Sequence, residues 1–390
     1  MRILMISDVY FPRINGVSTS INTFKNELET LGHQVNLIVP HYSTTEQVDP
    51  SIVRIPSRYL PLDPEDRAMR WGKIYELQEG LFKSNYDIIH IQTPFIAHYV
   101  GVSLAKKLQI PRVETYHTYF EEYLYHYIPF LPKSWMKYVA RHYTKTQCND
   151  LDAVIVPSTA MQEVLMRYGV KIFTEVLPTG IELEKFQSGD GENFRKSYNI
   201  PLDRPTLIFI GRVAFEKNID FLLHVVDKVR QRIPNVLLLI AGEGPSLPHL
   251  KKLAEKLHLN NNVIFVGYLD RNKELLDCYA SGDAFVFASN TETQGLVLLE
   301  AMALGVPLVS TAVMGTKDIL APNKGALVCD ESIDEFANGV ITLLEDKQLR
   351  EKLSKEALEY VKTWSAPNMA KKLVSFYEHV IHNVANCHPH

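Results

Sequence analysis

The chain has 390 residues, a formal net charge of −4 and a globular composition of 46% hydrophobic and 22% charged residues, which argues against disorder and allows two or three domains. Residues 1–180 carry 18 basic and 18 acidic side chains and the remainder 23 and 27, so neither half is a basic nucleic-acid-binding domain and no nucleic acid partner is expected. Cys148, Cys278, Cys329 and Cys387 form no CxxC pair, which argues against structural zinc and for a reducing compartment, and no stretch approaches the ~20 apolar residues of a membrane span. A soluble, cytoplasmic protein is expected.

Arg2–Ser7 reads as a buried strand rather than a signal peptide, since its apolar run is short and lacks a cleavage site. Asp8–Val17 reads as a loop that delivers Gly16 to a helix over Ser18–Leu31, capped by Ser18, Thr19 or Ser20 and ended by Gly32. A glycine between a strand end and a helix start suits a docked phosphate. The three-glycine dinucleotide fingerprint is absent, which weakens a dehydrogenase reading.

Further strands are expected at Val35–Val39, Ile52–Ile55, Asp87–Ile91, Arg112–Tyr116 and Ala153–Val156, with helical patterns between most of them. Alternation of this kind gives an α/β domain with a mostly parallel sheet. The residues leaving the carboxyl ends of these strands are His90, Gln92, Thr93, Pro94, His117, Thr118 and Ser158, at the edge where open α/β sheets bind ligands. His117 ends an apolar strand and opens HTYFEEYLYHY, a placement that points it into a crevice, although most histidines have no chemical role.

Residues 119–145 are rich in aromatics, and a helix from about Lys133 places Trp135, Tyr138 and Val139 on one face with Lys133, Lys137, Arg141 and Lys145 nearby. Two readings stand: an interfacial helix lying on anionic lipid, or a solvated helix with an ordinary aromatic core face. Asp150–Leu151–Asp152 has the form of a metal-binding triplet but sits in a tight helix-to-strand junction, where capping and solvation are expected instead.

The Pro/Gly-punctuated stretch 178–190 is expected to hold, within it, the hinge between a first domain over 1–180 and a second over 191–365. The second domain's strands are Thr206–Ile210, Val236–Ala241, Val263–Val266, Ala284–Phe287, Pro307–Ser310 and Ala326–Val328. The first runs into GRVAFEKN, where Gly211 permits close backbone approach and Arg212 with Lys217 could neutralise a pyrophosphate, or could form an exposed charged turn. The second ends in AGEGP, with Gly242 and Gly244, and the third in VGYLD, where Tyr268 and Leu269 could lie beside a flat base. Residues 366–383 carry helical spacing, and the tail from Val384 is expected to be disordered.

The stretch 284–311 reads as strand, loop, helix and strand, with Gly295 and Gly305 bracketing a helix that is apolar nearly all round. Glu300 is its one charge, and an ionised carboxylate there needs a partner. The helix opening is an anion site by its unpaired N–H groups and dipole, and Glu300 lies roughly 8 Å along the axis from Gly295 at ~1.5 Å per residue. Glu292 precedes the opening. Carboxylates accept well from sugar hydroxyls, so Glu292 on a donor sugar and Glu300 on a ribose would suit a nucleotide sugar; the competing reading is a capping acid and half of a buried ion pair.

In order, INGV after the first strand, YHT at 116–118, GRVAFEKN at 211–218, AGEGP at 241–245 and ETQGLVLLEA at 292–301 resemble the retaining GT-B glycosyltransferases of family 4. The resemblance covers nearly the whole chain. It implies two Rossmann-like, doubly wound domains facing across a cleft, acceptor on the first and donor on the second, with the helix at 366–383 returning to the first. It implies Glu292 on the donor sugar, Glu300 on the ribose, Arg212 and Lys217 on the diphosphate, and His117 on the transferred sugar. Gly16, Gly211, Gly242, Thr293, Gln294, Gly295 and Leu296 would cradle phosphate and sugar, with Tyr268 and Leu269 beside the base. It further implies retention of configuration, with no metal and no cofactor beyond the nucleotide-sugar substrate.

INGV, HTYFEEYLYHY and TETQGL look most like the subgroup that glycosylates diacylglycerol or related membrane lipids. The expected reaction is hexose transfer from UDP-glucose to such a lipid by an enzyme peripheral to the cytoplasmic face of the membrane, with Trp135, Lys137, Tyr138 and Arg141 meeting membrane or acceptor. The alternative is a GDP-mannose-dependent α-mannosyltransferase acting on phosphatidylinositol, a glycolipid or a polysaccharide precursor, since residues 267–269 leave uracil and guanine open.

Overall fold

The computed structural model describes residues 1–42, 49–60, 63–76, 85–117 and 133–387. The chain divides into two compact units, Met1–Gly180 together with Ala366–His390, and Ile181–Ser365.

In the first unit the elements are β1 (Arg2–Ile6), α1 (Gly16–Thr30), β2 (Gln34–Pro40), β3 (Ile52–Ile55), β4 (Ser57–Leu60), β5 (Asp63–Met69), α2 (Trp71–Glu76), β6 (Ile88–Ile91), α3 (Ile96–Leu108), β7 (Arg112–Thr115), α4 (Lys133–Asn149), β8 (Ala153–Val156), α5 (Thr159–Tyr168) and β9 (Phe173–Val176). Seven strands form one parallel sheet in the order β3-β2-β1-β6-β7-β8-β9, with Ile3 opposite both Val35 and Ile88. β4 and β5 form a separate antiparallel pair. Strands such as Ile88–Ile91 and Ala153–Val156 are buried throughout, as expected where helices cover both faces of a parallel sheet.

The second unit contains α6 (Gly191–Ser197), β10 (Thr206–Ile210), α7 (Ile219–Val229), β11 (Leu237–Ala241), α8 (Leu247–Lys256), β12 (Val263–Gly267), α9 (Glu274–Ala280), β13 (Ala284–Phe287), α10 (Leu296–Ala303), β14 (Leu308–Ser310), α11 (Thr316–Leu320), β15 (Ala326–Val328), α12 (Ile333–Glu345) and α13 (Lys347–Tyr360). Its six parallel strands run β12-β11-β10-β13-β14-β15. The order reverses between β10 and β13 here and between β1 and β6 in the first sheet, so each sheet has a switch point at which a ligand crevice opens beyond the strand carboxyl ends. The apolar strands Leu207–Ile210, Leu237–Ala241 and Ala284–Phe287 form the core with one flank of α10.

The last helix, α14 (Ala366–Cys387), belongs to the first unit. Met369, Leu373, Phe376, Tyr377 and Val380 recur at helical spacing and pack with Ile21, Phe24 and Leu28 of α1. The structure corrects two expectations. Val384–Cys387 continue α14 rather than forming a disordered tail. Helix α1 starts at Gly16, and its cap is Asn15, which exchanges bonds with Ser18 in a capping box, so Gly16 is the first helical residue and Ser18 the third. The boundary between the two units, Gly180/Ile181, falls within the stretch 178–190 expected to hold the hinge; from Ile181 on the chain is tied into the second unit, where the Ile181 N–H donates to Trp364 O and that of Asp190 to Asp277 Oδ1 at 2.6 Å.

Candidate active site

In the second unit the loops leaving five strands are stitched together by hydrogen bonds, most of them between backbone groups. Gly211 N–H donates to Ala241 O, Gly242 N–H to Gly267 O, and Val213 N–H to Glu243 O, which ties the exits of β10, β11 and β12. The Ser289 hydroxyl donates to Glu216 O at 3.3 Å, linking the β13 exit to the β10 exit, and Gly315 N–H donates to Glu292 O at 2.8 Å, adding the β14 exit. Gly211, Arg212, Lys217, Gly242, Tyr268, Leu269 and the 292–296 segment therefore occupy one rim. Arg212 is exposed, Tyr268 is 62% exposed, and Leu269 turns its side chain into the core, leaving only its backbone on the rim.

Across the switch point, Lys217 Nζ lies 2.5 Å from Glu292 Oε2, with about a fifth of each side chain exposed. The two sequence-predicted residues are joined to each other, which leaves neither a largely buried ammonium nor a largely buried carboxylate alone. Behind Glu292, Gly295 caps α10 in the left-handed conformation at φ 97° and, as glycine, supplies no side-chain cap, while the Leu298 N–H donates to Gly295 O at 3.0 Å. Only glycine takes that backbone without strain, and the bare turn leaves donors for an anion. Thr293 is partly exposed, Gln294 is buried, and Leu296 opens the helix.

Glu300 is buried on α10, and each of its carboxylate oxygens has one donor. Arg271 Nη2 donates to Oε1 at 2.9 Å and the Tyr279 hydroxyl to Oε2 at 2.8 Å. These two partners went unnoticed in the sequence; the signal was the lone charge in an apolar helix, which demanded donors without saying where they lay.

The first unit carries its own cluster at its switch point. His117 Nε2 lies 3.2 Å from Gln92 Oε1, and burial pushes the imidazole down to about 4. The neighbouring His90 is not on the rim: it is enclosed between Tyr377 and Thr115, contacts of 2.6 and 2.7 Å, and burial drives it to about 3. Asp8, absent from the sequence candidates, accepts from Thr93 Oγ1 at 2.7 Å and from Ala97 N–H at 3.0 Å, capping α3, whose N-cap Phe95 supplies no side-chain bond. Burial raises its carboxyl to about 7 against the lowering effect of those bonds. Gly16 is exposed at the start of α1.

On α4, Trp135 and Tyr138 are 55% and 68% exposed, and Val139 is also exposed. Met136, Ala140 and Thr144 face inward, so the aromatic stripe is not the core face. Arg141 lies over the Tyr168 ring at 5.6 Å, and Lys137 is partly buried. The remainder of the aromatic segment, residues 119–132, and Thr118 lie outside the described residues. Asp152 Oδ2 accepts the Arg112 N–H at 2.8 Å, a structural bond across the β7–β8 junction.

Two doubly wound units, each built on one main parallel sheet, make this a GT-B fold. HepE from Anabaena, solved in complex with UDP-glucose, has this fold, with a TM-score of 0.75 at 16% identity over 97% of this chain and 100% of that one. Residues 14–185 match the model of Glycosyltransferase Family 4 and residues 190–360 that of Glycosyl transferases group 1. An alpha-monoglucosyldiacylglycerol synthase of Streptococcus pneumoniae is 34% identical, covering 97% of this chain and 85% of the relative. A second protein of that name, from Acholeplasma laidlawii, is 29% identical over 97% of this chain and 96% of its own length. The chain belongs to the family 4 glycosyltransferases and is a glycosyl-transferring enzyme.

Proposed function

We propose that the chain is a retaining hexosyltransferase that moves glucose from UDP-glucose to a hydroxyl of diacylglycerol or a related membrane lipid, giving an α-glucosyl lipid. The observation that carries the donor side is the Lys217–Glu292 pair at the switch point, beside the open turn of α10. The acceptor is argued from the two monoglucosyldiacylglycerol synthases that align with 97% of the chain.

On this reading donor binding exchanges partners. Lys217 moves from Glu292 to the diphosphate, Glu292 turns to the hydroxyls of the donor sugar, and Arg212 together with the N–H groups at Gly295 and Leu296 takes the remaining phosphate charge. Glu300 accepts from the ribose and Tyr268 lies beside the base. In transfer the C1–O bond breaks with its electron pair left on the β-phosphate. The acceptor oxygen bonds to C1 on the same face, and its proton passes to the departing phosphate. Cationic side chains and the helix opening stabilise that charge in place of a metal. In the first unit, His117, held near 4 by burial, is neutral at pH 7 and is available as a hydrogen-bonding group rather than a cation.

A lipid acceptor requires work at a bilayer surface. Among the described residues no helix is long and apolar enough to cross a membrane, so the contact is assigned to the exposed Trp135 and Tyr138 on α4, with Lys137 and Arg141. The test is nucleoside diphosphate release by the purified protein with UDP- and GDP-sugars, each with and without diacylglycerol in anionic mixed micelles. Lipid-dependent release of UDP from UDP-glucose is expected. Preference for GDP-mannose would turn the reading to the α-mannosyltransferase, and release indifferent to lipid would remove the lipid acceptor.

A further inference from the structure

Glu300 sits on α10 with its side chain 9% exposed, and its two donors come from different elements: Arg271 from the β12–α9 loop and Tyr279 from α9. They divide the carboxylate between them, one bond to each oxygen. An ionised carboxylate has about four lone-pair sites, so each oxygen keeps one acceptor site open. Two open sites on neighbouring oxygens match two hydroxyls on neighbouring carbons.

Tyr279 is fully buried, with its ring 5.7 Å from that of Phe285, so it cannot turn away from Glu300 without disturbing the core. Burial and the adjacent carboxylate hold its phenol far above the usual range, so it stays a donor at every working pH. Arg271 is 41% exposed along its side chain and supplies the compensating charge. A rigid neutral donor on one oxygen and a cation on the other fix both the ionisation and the rotation of the Glu300 carboxylate.

We infer that Tyr279 and Arg271 are positioning residues that make Glu300 a clamp for a vicinal diol, and that through it they set selectivity for a ribonucleotide donor over its 2′- or 3′-deoxy counterpart. The inference rests on the assignment of Glu300 to the donor ribose. With one hydroxyl missing, a buried charged acceptor site goes unfilled, and loss of a hydrogen bond to a charged group corresponds to roughly a tenfold to hundredfold loss of affinity. Without Tyr279's bond the carboxylate can rotate to serve a single hydroxyl, and the penalty for the deoxy ligand shrinks.

The experiment measures dissociation constants of UDP, 2′-deoxy-UDP and 3′-deoxy-UDP, and of the matching GDP set, for the wild type, Tyr279→Phe, Arg271→Gln and Lys217→Ala. The wild type is expected to favour the ribonucleotide at least about tenfold. Tyr279→Phe, which keeps the ring in the core, is expected to cut that ratio to within about threefold, whereas Lys217→Ala weakens all ligands and leaves the ratio alone. A variant that only lost folded protein would bind less of every ligand with no change of ratio. Should Tyr279→Phe fail to fold, Arg271→Gln, at a half-exposed position, must narrow the ratio in its place. An unchanged ratio in the folded variants overturns the clamp while UDP binding still supports the donor site. Absence of binding by any of the six nucleotides overturns both.

Discussion

The Tyr377 hydroxyl lies 2.6 Å from Nδ1 of His90, a contact that joins residues 287 positions apart and fastens α14 to the middle of the first sheet. Its other nitrogen contacts Thr115 at 2.7 Å, so the buried imidazole has both ring positions satisfied without carrying charge. Tyr377→Phe keeps the ring and removes one partner. The stranded nitrogen should cost about 1–3 kcal/mol of stability, read as a lower urea midpoint, with nucleotide affinity unchanged. A loss under about 0.5 kcal/mol would mean that the bond contributes nothing net to the fold.

The acid limb of stability follows from three buried groups. His90 and His117 titrate near 3 and 4 in the folded protein, both lowered by burial, against about 6.5 when unfolded. Between about pH 6.5 and 4 the unfolded chain binds a proton on each that the folded chain does not, so each removes about 1.4 kcal/mol of stability per pH unit of acidification. Asp8, raised to about 7, works in the other direction: its stabilising contribution is full below the unfolded value near 3.8 and is lost as pH rises through 7. These groups together give a net slope of about one proton. In urea melts from pH 4.5 to 6, His117→Gln should flatten the wild-type slope by about one proton and Asp8→Asn should steepen it by about one. A slope unchanged by His117→Gln would mean that this imidazole stays hydrated in the folded state.

The sheet cores were legible because parallel strands buried on both faces read as continuous apolar runs: Ala153–Val156 and Ala284–Phe287 fall where the sequence places them. The strand Phe173–Val176 was not, since it lies at the sheet edge with no buried residue and its FTEV sequence has no such run. The β4–β5 pair was hidden for a similar reason, its second strand, DPEDRAM, being mostly charged. At the site, the residue types of the rim could be read from glycines and charges at strand ends. Their pairing could not: Lys217 meets Glu292 across 75 positions, and Asp8 caps a helix 89 positions away, contacts created by strand order alone.

The Lys217–Glu292 pair predicts a specific pattern of loss. Lys217→Ala deletes the proposed phosphate cation and strands a carboxylate, while Glu292→Gln keeps the size and a hydrogen-bonding carbonyl but cannot hold the ion pair. Either should lower transfer at least about tenfold with an intact fold, as expected for a group that stabilises charge in the transition state. Near-normal turnover by either purified variant would remove these residues from the site.

Gly16 offers a test that separates ligand approach from folding. A Cβ built there meets nothing within 4 Å. The position is the first of a helix, where Gly→Ala should hold or raise stability by about 0.4–1 kcal/mol through the unfolded chain. If the glycine serves close approach of a phosphate or sugar, Gly16→Ala should nonetheless lower transfer several-fold. Full activity at equal or greater stability would show that Gly16 has no part in binding.

The stripe on α4 predicts how the enzyme meets its acceptor. Charge reversal at Lys137 and Arg141 should weaken sedimentation with phosphatidylglycerol vesicles, because a basic residue near an anionic surface contributes about 1 kcal/mol. That pair of substitutions also disturbs structure, since Arg141 lies over the Tyr168 ring at 5.6 Å. Trp135→Ala with Tyr138→Ala avoids the difficulty, as both side chains are more than half exposed and their truncation leaves the core face of α4 in place. The aromatic double variant should lose vesicle binding and lipid-dependent transfer together while retaining UDP affinity and thermal stability. Vesicle binding equal to wild type in that variant would assign the stripe to solvent.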